Sequence, residues 1–280
     1  MSQTSPKSKI MLKKISIYIP LTIVLFITLF PIIWLFLMSF KTRVDIFTLP
    51  PPLFFKVTLD NYISAFIEKG YFKYLINSLI VALSTTILAI VTGSITAYAF
   101  SKFKGFLADN HLFFWILTFR MSPEVIFIIP YYLLWTVLGL YDTHLSLILS
   151  HTTFTLPIVI WLMKGFFDDI PKDVEEAALL DGCSWFSVFR RISLPLATPG
   201  LMTSAILSFL FSWNEFFIAM VITRINAKTL PAAITGFITT RGILWGEMAA
   251  VGVVVMIPVL ILIFLIQKYL VRGLTFGAVQ

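Results

Sequence analysis

The residues with chemical potential in this chain are gathered in short polar segments, each enclosed by apolar sequence. The densest reads Lys172-Asp173-Val174-Glu175-Glu176-Ala177-Ala178-Leu179-Leu180-Asp181-Gly182, followed nine residues later by Ile192-Ser193-Leu194-Pro195. Pro171 suits a first helical turn, and carboxylates at Asp173, Glu175 and Glu176 favour the positive end of the helix dipole. Ala177 to Leu180 are strong helix formers, and Gly182 lets the chain turn out of the helix. Such a segment offers acids and small apolar side chains to another protein. The competing reading is an amphipathic helix resting on lipid, but those helices carry basic polar faces. This one is acidic where anionic headgroups would lie.

Other chemistry finds less support. No carboxylate pair with a histidine and no nucleophile motif stands out, so no catalytic residue is expected. A single cysteine, Cys183, excludes an internal disulfide and a multi-cysteine zinc site. His111, His144 and His151 lack ligand spacing with carboxylates, so neither metal nor cofactor is expected. No Gly-x-x-x-x-Gly-Lys-Ser/Thr phosphate loop occurs, nor even a Gly-Lys dipeptide.

The elements around these segments are built for lipid. The 280 residues are 59% hydrophobic and 12% charged, against about 25% charged in a soluble domain. Mean hydropathy is +0.94. The expected fold class is therefore all-α, a polytopic membrane bundle of six transmembrane helices with a cytoplasmic helical loop. The net charge of +7 reflects Lys and Arg in cytoplasmic loops facing anionic membrane lipid, since no basic run interleaved with aromatics suggests nucleic acid.

The organisation follows from the apolar runs. Residues 1–14 form a basic cytoplasmic segment, 15–270 the six-span domain with a loop at 165–198, and 271–280 a cytoplasmic tail. The spans are expected over Ile15–Phe40, Tyr74–Phe100, Leu112–Leu138, His144–Lys164, Pro199–Ile222 and Trp245–Gln267. Lys102 and Lys104 mark a cytoplasmic turn, Tyr141-Asp142-Thr143 an outside turn, and residues 223–246 the last outside loop. Both termini then lie in the cytoplasm, with a modest Lys/Arg bias toward that side. Ala89, Gly93 and Ala97 stack on one face and allow a neighbouring backbone to approach.

Polar groups inside the spans need a reason. Arg120 and Glu124 are four residues apart and pair on one face if the helix runs through Pro123. Ser204, Ser208 and Ser212 form a stripe that ends in Asn214-Glu215. Ionisable groups at membrane depth are costly and mark internal pairs or solute paths. Arg120, Glu124, Ser208, Asn214 and Glu215 are accordingly the candidates for a path, with helix packing as the competing explanation of the serines.

The loop motif adds a specific resemblance. Glu176-Ala177-Ala178, Gly182, Ile192, Leu194 and Pro195 match, at every position, the cytoplasmic signature of binding-protein-dependent ABC importer permeases. Trp245-Gly246-Glu247, Ile257-Pro258, Gln267-Lys268-Tyr269, Thr58 to Tyr62 and Asn77-Ser78 are similar to the carbohydrate group, in particular its maltose-type second permease subunit. The resemblance implies a prokaryotic plasma-membrane machine of two different permeases, two copies of an ABC ATPase and an extracytoplasmic solute-binding protein. This chain would be a non-enzymatic subunit for a sugar or sugar-like solute. Glu175, Glu176, Ala177, Ala178, Gly182, Ile192, Leu194 and Pro195 would form its ATPase-docking segment. The same machine for glycerol phosphate or a polyol is the alternative; a secondary transporter and a membrane-embedded enzyme are the more distant ones.

Overall fold

The computed structural model of the chain describes residues 6–103 and 110–276. Residues 1–5, 104–109 and 277–280, with Lys104 of the expected turn and the end of the tail, lie outside the described residues. The helices are α1 Pro6–Ser39, α2 Phe72–Lys102, α3 Asn110–Met121, α4 Val125–Val137, α5 His144–Asp168, α6 Lys172–Leu180, α7 Thr198–Asn214, α8 Phe217–Ile222 and α9 Trp245–Phe276. Shorter helical turns connect them, and β1 Ile238–Thr239 pairs antiparallel with β2 Gly242–Ile243. Helix dominates because a lipid-embedded backbone must satisfy its polar groups within its own segment.

Among the described residues four helices are long and apolar enough to cross a membrane: Ser16–Ser39, Phe72–Lys102, His144–Asp168 and Trp245–Phe264. Two bent pairs raise the number to six if each is one span. One is α3 with α4, bent by 95° at Ser122–Glu124. The other joins the turns Trp185–Leu196 to α7 at 79°. The fifth apolar run differs from a continuous Pro199–Ile222 helix: α7 stops at Asn214 and α8 starts afresh at Phe217. Glu215 causes the restart, because its carboxylate accepts from the backbone N–H groups of Ile218 at 2.6 Å and Ala219 at 3.0 Å and so caps α8.

The chain divides into two compact units. One comprises the chain up to Lys69 together with Gly236–Met256. Within it the Asn61 amide donates to the Ser39 and Lys41 carbonyls at 2.9 and 2.8 Å. Gly246 lies so close to the Asn61 amide that a Cβ there would collide with it. Lys69 pairs with Glu247 at 3.2 Å. The two short motifs around Asn61 and Gly246 are thus one contact.

The second unit comprises Gly70–Thr235 and the chain from Ile257. Here α2 packs along α5 and α7. Ala89, Gly93 and Ala97 are buried, and a Cβ on Gly93 would lie 2.6 Å from Val159 Cγ1, so the small stripe does serve close packing. Ser204, Ser208 and Ser212 are buried on α7. At the end of this unit where α2 and α5 begin, polar side chains fasten the segment after α8. Asn77 donates to the carbonyls of Asn226 and Lys228 at 2.8 and 2.9 Å, the Ser78 hydroxyl accepts from Leu230 N–H at 2.7 Å, and Tyr71 donates to the Ala233 carbonyl at 2.9 Å. Asp142, at φ +58°, accepts from the N–H groups of residues 224–227 at 2.9–3.1 Å. Burial pushes its carboxyl up, but the backbone donors of Arg224, Asn226, Ala227 and Ile225 outweigh burial and hold its pKa below the ordinary value.

Two outcomes follow. Gly93→Val should destabilise the detergent-solubilised protein by about 1–3 kcal/mol through overpacking against Val159, whereas Gly165→Ala, with open space around it, should not lower the thermal midpoint. Asp142→Asn should cost about 1–2 kcal/mol at pH 7, the difference between charged and neutral acceptors. The native carboxylate's advantage is complete above the unfolded pKa of about 3.9 and is lost as pH falls from there through the depressed folded value. The gap between variant and wild type in thermal scans should close over that window.

Candidate functional site

The loop between α5 and α7 folds as its residue types dictate. Pro171 precedes α6, and Asp173 and Glu175 occupy its first turn. The helix ends in a glycine turn: Cys183 N–H reaches the Ala178 carbonyl, Gly182 N–H reaches that of Leu179, and Gly182 has φ +86°. This is the Schellman arrangement, in which glycine holds the left-handed position without strain. Ser184 then caps the turn Trp185–Val188 by accepting from Ser187 N–H at 3.3 Å.

The two neighbouring glutamates of the loop part company. Glu176, Ala177 and Gly182 are exposed, Ala178 is half-buried, and Leu180 is 89% exposed. Glu175, grouped with them by sequence, is only 3% exposed and faces inward. Its Oε2 pairs with Lys102 Nζ at 2.7 Å and its Oε1 accepts from the Ser193 hydroxyl at 2.6 Å. Lys102 also donates to the Phe167 carbonyl at 2.9 Å, and Ser101 donates to Asp168 at 2.7 Å. One buried cluster therefore joins the ends of α2 and α5, the start of α6 and the turn at Phe189–Ser193. Glu175, expected on the exposed docking segment, is instead buried against the bundle, paired with a Lys102 side chain that is 10% exposed. Ile192 and Leu194 are half-buried, Leu194 against the core around Phe167 and Phe189, while Pro195 is exposed.

The path candidates also sort themselves. Arg120, Glu124, Asn214 and Glu215 line one cavity of about 590 Å³ with Leu207, Leu210 and three phenylalanines. Arg120 Nη1 lies 3.4 Å from Glu124 Oε1, so the pair forms even though the helix breaks at Pro123. Ser208 lies apart from this group, buried on α7. Sequence reasoning missed His151, which is 2% exposed. Its Nε2 lies 3.2 Å from Glu215 Oε2, off good hydrogen-bond geometry, and its Nδ1 is 2.8 Å from Ser212 Oγ. The available signal was the rarity of a histidine inside an apolar span. Lys102 and Ser193 were likewise passed over as a turn charge and a motif spacer. Among the described residues no group of acids, histidines and cysteine could hold a metal ion.

The bundle thus combines helices of membrane-spanning length with an acid–alanine helix whose outer face is exposed and whose inner face is anchored by Glu175. Residues 89–276 match the family described as binding-protein-dependent transport system inner membrane component, and the chain belongs to it. It is 36% identical over 265 residues to the trehalose transport system permease protein SugB of Mycobacterium tuberculosis, covering 92% of this chain and 95% of that one. It is 34% identical over 275 residues to the trehalose/maltose transport system permease protein MalG of Thermococcus litoralis, covering 96% and 98%. A chain of a bacterial ABC transporter that imports the acidic polysaccharide alginate shares its fold with a TM-score of 0.79 at 23% identity, covering 96% and 99%.

The anchor can be tested against its neighbour. Glu175→Ala should destabilise the protein by about 3–5 kcal/mol by stranding Lys102, as breaking one half of a buried pair does. Glu176→Ala should stay within about 0.5 kcal/mol, as exposed substitutions do. Chemical denaturation in detergent reads both.

Proposed function

We propose that this chain is one permease subunit of an ATP-driven, binding-protein-dependent importer of sugars. It works beside a second, different permease and takes its driving force from two copies of a separate ATPase. The exposed face of α6 is the surface that seats on the ATPase. The observation that carries this reading is the division of labour in the loop: Glu175 turned inward to the bundle, Glu176, Ala177, Leu180 and Gly182 turned out. An apolar side chain as open as Leu180, flanked by the carboxylates Glu176 and Asp181, fits a partner cleft that offers an apolar socket with cationic edges.

Sugar as the cargo class rests on the relatives at 34–36% identity, whose names specify trehalose and maltose transport over almost the whole length of this chain. The chain carries no phosphate-loop sequence of its own, so ATP hydrolysis belongs to the partner. In this arrangement α6 and both termini face the cytoplasm, and the Asp142 turn faces the solute-binding protein's side. ATPase closure pushes α6, and the buried cluster passes that push to α2 and α5 as a rigid-body movement.

Gly182 gives the direct test. Its left-handed backbone admits other residues only with strain of about 1–2 kcal/mol, and the space around it is open. Gly182→Val should therefore re-aim the loop without disturbing the bundle. Reconstituted with its partners, the variant should lose ATP-driven sugar uptake by about tenfold or more, and the ATPase should no longer co-purify. Full uptake with full ATPase association would remove α6 from the docking role.

A further inference from the structure

Two membrane helices of this chain are interrupted, and both interruptions open on one cavity. α3 gives way to α4 at Ser122–Glu124, and α7 gives way to α8 at Glu215–Phe216. Irregular backbone at membrane depth is tolerated where protein buries it or where it lines a cavity. The cavity here, about 590 Å³, presents Arg120, Glu124 and Asn214 together with Phe211, Phe216 and Phe217. Its volume falls within the range of about 300–1,000 Å³ that suits small-molecule ligands.

Its chemistry is mixed in a particular way. Asn214 is exposed, its amide nitrogen turned back to the Leu210 carbonyl at 2.9 Å, which leaves the side-chain oxygen as an acceptor. Glu124 supplies further acceptors and the Arg120 guanidinium supplies donors. The Phe211 and Phe217 rings are 40% and 54% exposed, flat apolar faces beside these polar groups. A sugar ring has the complementary pattern, hydroxyls at its edge and C–H groups on its face.

Charge selects among polar solutes. Arg120 is engaged on both sides, by Glu124 at 3.4 Å and by the Phe211 ring at 4.3 Å from its centroid. Glu215 spends its carboxylate on the N-terminus of α8 and faces His151. Two carboxylates thus stand against one guanidinium and one imidazole. The cavity has no cationic excess with which to hold a phosphate ester.

We infer that this subunit carries its own solute-contacting site at the paired helix breaks, shaped for a neutral, hydroxyl-rich sugar unit. The inference rests on the reading of the chain as an importer permease. Asn214 and Glu124 hydrogen-bond the hydroxyls, Phe217 and Phe211 cover the ring face, and Arg120 is held ready by its two partners. The rival occupant is a side chain of the second permease.

The test uses the complete transporter in proteoliposomes, with its ATPases and binding protein, and radiolabelled trehalose, maltose and glycerol 3-phosphate as probes. Wild type should import a neutral sugar. If it imports only glycerol 3-phosphate, the sugar reading and this site fall together. Given sugar import, Asn214→Leu and Phe217→Ala should lower sugar moved per ATP hydrolysed by about tenfold, with stimulation of the ATPase by loaded binding protein unchanged and Phe217→Tyr close to wild type. Unchanged sugar per ATP in both variants would overturn the site while leaving the importer reading intact. A parallel fall of uptake and stimulated ATP hydrolysis would assign the cavity to the second permease instead.

Discussion

A buried cation at the end of a membrane helix constrains everything around it. Lys102 closes α2 with its side chain only 10% exposed. Leaving such a charge unpaired costs several kcal/mol. Glu175 must therefore enter the bundle, Ser193 must fill its second oxygen, and the Phe167 carbonyl must turn toward the lysine. The ends of α2 and α5, the start of α6 and the turn at Phe189–Ser193 acquire one register from one charge. A well-packed apolar trio could hold them as firmly; the ion pair adds a single permitted alignment. A loop fixed at one face in this way leaves its other face, with Glu176, Ala177 and Leu180, exposed.

The far end of the same unit is organised by the same economy of polar groups. Asn77, Ser78 and Asp142 each satisfy backbone groups of the segment that follows α8. Between the two ends, Glu215 restarts a helix with its carboxylate, and His151 and Ser212 gather behind it. Among the polar side chains within its spans, Arg120, Glu124, Asn214 and Glu215 sit where backbone is broken and a cavity opens, while Ser204 and Ser208 are buried in helix packing. Packing supplies the rest: Gly93 brings α2 against α5 at Val159, and the buried serines of α7 keep that surface small.

Much of this was legible in the residues. The acid-led helix and its glycine stop followed from capping chemistry, and the structure has both; of the six apolar runs read from composition, four are single long helices, while the third and fifth are broken. Adjacent glutamates were another matter. Glu175 and Glu176 are about 100° apart on a helix, so one turns in and one turns out, and their order alone does not say which. The answer depends on the depth of Lys102, a residue 73 positions upstream of Glu175, and that is a tertiary fact. The break at Glu215 was hidden for a related reason, since no proline or glycine announces it and the carboxylate acts only once the backbone has turned. Arg120 and Glu124 were expected to pair on a continuous helix; they pair across a break, because their four-residue spacing survives the bend.

The central claim is that α6 and α2 move as one body. Spin labels at Asp173 on α6 and Thr92 on α2, both exposed positions, in a Cys183→Ser background, measure it directly by pulsed dipolar spectroscopy on the complete transporter. The distance distribution should be narrow and the same in the nucleotide-free and ATP-bound states, and should broaden when Glu175 is replaced by alanine. A wild-type distribution that shifts between the two states would show that the coupling loop slides on the bundle, and the buried ion pair would then not be what carries the force.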